Sequence, residues 1–161
     1  MKYFLSLSLL ACLLACNSNK ICKYKPAPIF DKNLPHLQGY EYEVQGQQSR
    51  EAFMTDRGVF VEVFQEVCET SRQEYRFTAP GEGFLQMPDS VWLKEVSREF
   101  VFLSSFSPQQ APLKNWADLI EDSRPNLRMG EELEINPGIF VKVNKVAAPD
   151  KGMLVVELFQ K

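Results

Sequence analysis

The sequence predicts an α+β fold: a mainly antiparallel sheet of about six to seven strands, with a central pair of helices packed on one face. Three observations predict it. Apolar residues alternate with period two from Tyr40 to Thr78. They switch to helical spacing between Pro88 and Asp122, then return to period two from Glu132 to Gln160. Short turn signals separate the strand-like runs, as antiparallel connections require.

The first run places Tyr40, Tyr42 and Val44 opposite Glu41, Glu43 and Gln45, a half-buried strand. Gly46-Gln47-Gln48 turns into a short second strand, Arg50 to Thr55. Asp56-Arg57-Gly58 is a strong turn signal. Val59 to Val67 follows, with Val59, Val61 and Val63 on one face and Phe60 and Phe64 on the other. Apolar residues on both faces predict a central strand covered on both sides at one end. Glu69-Thr70-Ser71 turns the chain into a fourth strand, Gln73 to Thr78.

Ala79-Pro80-Gly81-Glu82-Gly83 breaks the alternation. Pro88-Asp89-Ser90 is a helix start, with Asp89 or Ser90 at the N-cap. Trp92, Val96, Phe100, Leu103 and Phe106 or Ser107 form its apolar stripe; Phe102 lies off it and predicts a second apolar contact. Ser107-Pro108-Gln109-Gln110 has the capping-box form. Pro112 disfavours the helical region at Ala111. A short turn is therefore expected, then a helix over about 112–122. Leu113, Trp116, Ala117 and Ile120 are its buried stripe. Ser123-Arg124-Pro125-Asn126 ends it. The last third reads as strands over Glu132–Ile135, Ile139–Val146 and Met153–Gln160, the last apolar on both faces.

The chain has 161 residues, 45% hydrophobic and 24% charged, which suits one folded domain. Its net charge of −3 gives no electrostatic reason to bind nucleic acid. Ahead of the alternating region, Met1-Lys2 supplies a positive start and Tyr3 to Ala15 an apolar stretch. Such a stretch is too short to span a hydrocarbon core of about 30 Å. It fits the secretory pattern, and it ends in Leu13-Leu14-Ala15-Cys16.

That ending resembles the lipobox of bacterial lipoproteins. The resemblance covers residues 1–16 only. It implies cleavage before Cys16, a diacylglycerol on the Cys16 thiol and, often, an acylated amine. Two or three acyl chains hold stably where one anchors only marginally. It divides the chain into a signal peptide (1–15), a lipidated cysteine with a flexible tether (16–39) and a single α+β domain (40–161). Leu9-Leu10-Ala11-Cys12 also reads as a lipobox. An export stretch ending at Ala11 would be short, and lipidation of Cys12 would leave three cysteines, an odd number. Asn17 at the following position favours outer-membrane sorting under the enterobacterial rule. The implied location is the cell envelope, facing the periplasm or the cell surface.

With Cys16 lipidated, Cys22 and Cys68 remain in the mature chain. Outside the cytoplasm they can form one disulfide; the alternative is two unpaired thiols. Asn17 to Gly39 reads as tether, with Lys23-Tyr24-Lys25-Pro26-Ala27-Pro28 favouring extended or polyproline II backbone. Lys20, Lys23 and Lys25 can meet anionic headgroups, at about 1 kcal/mol each, or can be ordinary solvated lysines.

No nucleophile elbow, zinc-protease helix, phosphate loop or dinucleotide fingerprint is present. The only histidine, His36, has no second ligand at metal spacing and reads as a loop residue. No cofactor and no metal is expected. Carboxylates are the remaining chemistry. Glu41 and Glu43 share a strand face about 7 Å apart; Glu62 and Glu66 lie about 13 Å apart. Glu131, Glu132 and Glu134 form an acidic run that could meet a basic partner. The alternative for each is the solvated face of a sheet. These features point to a lipid-anchored binding or structural module with an envelope protein as possible partner. The alternatives are an immunity or inhibitor lipoprotein and a carboxylate-based envelope hydrolase.

Overall fold

A computed structural model describes residues 25–68 and 71–161. The expected signal peptide (1–15), Cys12, Cys16 and Cys22 lie outside the described residues, as does part of the turn at Glu69-Thr70.

The fold is α+β, with one seven-stranded antiparallel sheet. The strands are β1 (Leu37–Gln45), β2 (Gln48–Thr55), β3 (Phe60–Val67), β4 (Ser71–Pro80), β5 (Glu132–Asn136), β6 (Ile139–Ala147) and β7 (Lys151–Gln160). The helices are α1 (Asp89–Ser104) and α2 (Pro112–Ser123). The spatial order is β1-β2-β3-β4-β7-β6-β5. A four-strand meander runs from the edge to the centre. The helix pair then carries the chain across one face to the far edge, and a second meander returns to close β7 against β4.

The register explains the core. Phe53, Val61, Phe77 and Leu154 lie side by side across β2, β3, β4 and β7. Val63, Tyr75, Val156 and Val143 form the adjacent row. All are buried, and against them pack Trp92, Val96, Phe100 and Leu103 of α1 and Leu113, Ala117 and Ile120 of α2. The helical stripes read from the sequence therefore face the sheet; Trp116 is only partly buried.

Several local expectations change, beginning with α1, which ends at Ser104 and leaves Phe106 and Ser107 beyond it. Strand β1 starts at Leu37 rather than Tyr40, because an irregularity between Gln38 and Glu41 shifts the register and lengthens the pairing. Pro88 occupies the N-cap of α1, where no side chain caps; Asp89 is helical and bonds Lys145 at 2.6 Å. The Ser107 capping pattern closes a separate 3-10 turn, Pro108–Gln110, in which Ser107 accepts from the Gln109 N–H at 3.2 Å. The two-sided covering of β3 is also different. Phe60 and Phe64 lie half-buried on the other face, with no second layer over them among the described residues. Phe64 is capped by the Arg76 guanidinium, 4.4 Å from its ring centre. A strand can look doubly buried in sequence when long cationic side chains supply the cover. The second apolar contact expected of Phe102 is present: its ring meets Phe106 edge-on at 4.9 Å, and Arg57 lies 4.0 Å over it.

Candidate functional site: the groove that holds the N-terminal strap

Residues 26–39, assigned to the tether by composition, belong to the fold. Pro26 and Phe30 are buried, while Ala27 and Pro28 are exposed. Proline at 26 and 28 fixes φ and removes two N–H donors, so this strap has fewer groups to satisfy. Five of the remaining groups find side chains from four separate elements. Tyr42 of β1 donates its hydroxyl to the Pro26 carbonyl at 2.9 Å. Gln65 of β3 donates to the Ala27 carbonyl at 3.0 Å. Gln110 of the 3-10 turn donates to the Ile29 carbonyl at 2.8 Å. Glu51 of β2 accepts the N–H groups of both Ile29 and Phe30, the latter at 3.1 Å.

Glu51 is the centre of this arrangement. It is wholly buried, and no cation pairs with it among the described residues. Burial pushes its carboxyl above the usual carboxylate range, while the two main-chain N–H donors and the nearby Tyr40 hydroxyl pull the other way. Burial and the same carboxylate raise the phenols of Tyr40 and Tyr75. The Tyr40 hydroxyl lies beside Glu51 without a hydrogen bond of ordinary geometry. Phe30 completes the groove from above. Its ring meets Phe53 edge-on at 4.9 Å and tilts against Phe106 at 6.3 Å.

An open cleft of about 640 Å³ borders the strap. Tyr40, Tyr42, Leu34 and Gln109 form part of its wall, and Asp31 and Lys32 contribute one charge of each sign. This mixture of aromatic, apolar and few polar groups is typical of ligand clefts.

The residues singled out in the sequence lie elsewhere. Cys68 follows β3 and is disulfide-bonded; Cys22 lies outside the described residues. Glu132 pairs with Lys161, which holds its carboxyl below the usual range, and sits opposite Lys142 in the β5–β6 ladder. Glu134 accepts the Gly138 N–H at 2.8 Å, steadying a turn whose glycine has φ of 72°. Glu131 is exposed just before β5. These acids lie along an edge strand, where charge discourages strand addition. Glu62 is bound by Arg50 at 2.8 Å, and Arg50 also reaches Glu41 at 3.6 Å. His36 bonds Asp56 at 2.8 Å and stacks on Phe106.

Among the described residues, no group of three or more His, Cys, Asp or Glu side chains is placed to hold a metal ion. Nor is any described helix long and apolar enough to cross a membrane. The groove escaped sequence reading, although two signals pointed to it. Glu51 shares strand parity with Phe53, so alternation already turned it inward. Ile29-Phe30 is an apolar pair inside a polar, proline-rich run. No protein-family model, no curated protein and no solved structure matches the chain.

Proposed function

We propose that this protein is a lipid-anchored, non-catalytic binding module of the bacterial cell envelope. The observation that carries the reading is the short distance between a lipobox-like cysteine and the seated strap. Cys16 and Pro26 are ten positions apart (26 − 16), so the link reaches at most about 36 Å when fully extended. The domain is then held beside the bilayer instead of ranging freely from it. The strap enters alongside Tyr42 and Gln65, toward the sheet end that bears Cys68, and that end faces the membrane. A Cys22–Cys68 disulfide would shorten the link further. Asn17 favours the outer membrane. The partner in this reading is another envelope component.

Support for binding over hydrolysis comes from how the carboxylates are used. The buried one, Glu51, is engaged by main-chain N–H groups, and Glu62, Glu132 and Glu134 are each engaged by a neighbour. The inhibitor alternative expects an acidic loop or an exposed aromatic offered to a basic cleft; of the acidic candidates, Glu132 and Glu134 are engaged within the domain. The test is capture of partners by the anchored wild-type protein, cross-linked in intact cells. A stoichiometric envelope partner lost on cytoplasmic expression supports the reading. An anchored wild-type protein that captures no stoichiometric envelope partner refutes it.

A further inference from the structure

We propose that the groove over β1, β2 and β3 is a binding site for an extended peptide, filled in cis by residues 26–30, and that a separate peptide of the same chemistry can replace the strap. The idea deepens the binding-module reading by naming a ligand class; the groove itself does not depend on the lipid.

The recognition is directed at main chain. Tyr42, Glu51, Gln65 and Gln110 come from four elements and engage five backbone groups within five residues. Backbone recognition leaves most side chains unread, which is how extended peptides are usually bound. Specificity is confined to two places. Phe30 fills the aromatic pocket of Phe53 and Phe106, and Pro26 is buried. Ala27 and Pro28 are exposed and therefore replaceable. The two N–H groups given to Glu51 require residues other than proline at the last two positions. The ligand class is thus an extended peptide of about five residues that ends in an aromatic side chain and has free N–H groups there.

The strap is also built to leave. It forms no ladder with any strand, so its departure breaks five side-chain bonds without undoing sheet pairing. An exposed turn, Asp31-Lys32-Asn33, joins it to the domain. The bordering cleft lets an incoming peptide touch the groove while the strap is still seated. A tethered strap acts at an effective concentration of about millimolar, so a free peptide competes poorly until the strap is weakened.

The test uses the full mature chain in detergent and a labelled peptide with the sequence of residues 25–32. Phe30→Ala vacates the pocket in cis. The Phe30→Ala chain should bind this peptide at least about tenfold more tightly than wild type does. A peptide with alanine in place of the phenylalanine should bind at least about tenfold more weakly. Equal binding by both chains, or by both peptides, overturns the proposal. Should Phe30→Ala fail to fold, a protease site placed after Asn33 gives a second route. With disulfides reduced, so that a Cys22–Cys68 bond cannot hold the strap covalently, the cut chain should lose its strap on dilution and take up labelled peptide. A strap retained until global unfolding overturns the proposal. Either result is independent of Cys16, so failure here leaves the anchoring reading to membrane fractionation.

Discussion

The main-chain N–H of Phe30 donates to Oε2 of Glu51 at 3.1 Å, joining the start of the described chain to the middle of β2 across 21 positions. A buried carboxylate without a cation is costly unless its oxygens are bonded. Here two consecutive amides supply the bonds. The contact turns a proline-rich run into part of the domain.

Glu51→Ala should destabilise the protein by about 2–4 kcal/mol, because the amides of Ile29 and Phe30 lose their acceptor while still buried. Urea denaturation measures the loss, and hydrogen exchange should show faster exchange at those two amides. Glu51→Gln keeps an acceptor and removes the charge, so its cost should be smaller. If the two substitutions cost the same, the amide bonds are not what Glu51 contributes.

Glu51 and Glu99 both have carboxyls raised above the ordinary value of 4.5 chiefly by burial; Arg57 opposes the shift at Glu99. A raised folded-state value means that the folded protein holds the proton more tightly than the unfolded chain. Their contribution to stability is full below about pH 4.5 and is lost as pH rises through the raised values. Glu51→Gln should therefore lose less stability than wild type as pH rises above about 4.5. Part of the slope should persist, from Glu99. Denaturant midpoints across that range test this; parallel curves for the two proteins would contradict it.

Gly152→Ala should destabilise by about 1–3 kcal/mol through overpacking alone. The added Cβ would lie 2.6 Å from Cη2 of Trp92 and would also strike the Phe84 ring. Both rings cover the start of β7, so tryptophan fluorescence should shift along with the thermal midpoint. An unchanged midpoint would mean that the Phe84–Gln86 turn gives way freely.

Cys16→Ser should abolish lipid labelling and membrane fractionation. Persistent labelling would move the anchor to Cys12.

Mass spectrometry without reductant should find Cys22 joined to Cys68. Loop-closure entropy over 46 positions (68 − 22) gives such a bond roughly 4 kcal/mol at most. Reduction should lower the unfolding midpoint accordingly, and a thiol-reactive Cys22 in unreduced protein would refute the pairing.

Much of the architecture was legible because alternation and helical spacing are local. Val61 and Val63, or Leu113, Ala117 and Ile120, show their faces without reference to any other segment. The same locality explains the errors. Phe60 and Phe64 look like a second buried face because the Arg76 that caps Phe64 comes from the neighbouring strand. Pro26-Ala27-Pro28 looks like linker because its bonds go to Tyr42 and Gln65.

By itself, the sequence determined the order of the elements, which face of each is apolar, and the lipobox-like pattern at Cys16. Each depends on residues a few positions apart, where period and spacing carry the physics. Only the tertiary structure decided that β7 closes against β4, that the acids of β5 are engaged at a guarded edge, and that Glu51 is spent on the strap. Those outcomes depend on which distant groups satisfy a buried charge or an unpaired amide. A buried polar group must find a partner, but the chain's own periodicity does not say where in the sequence that partner lies.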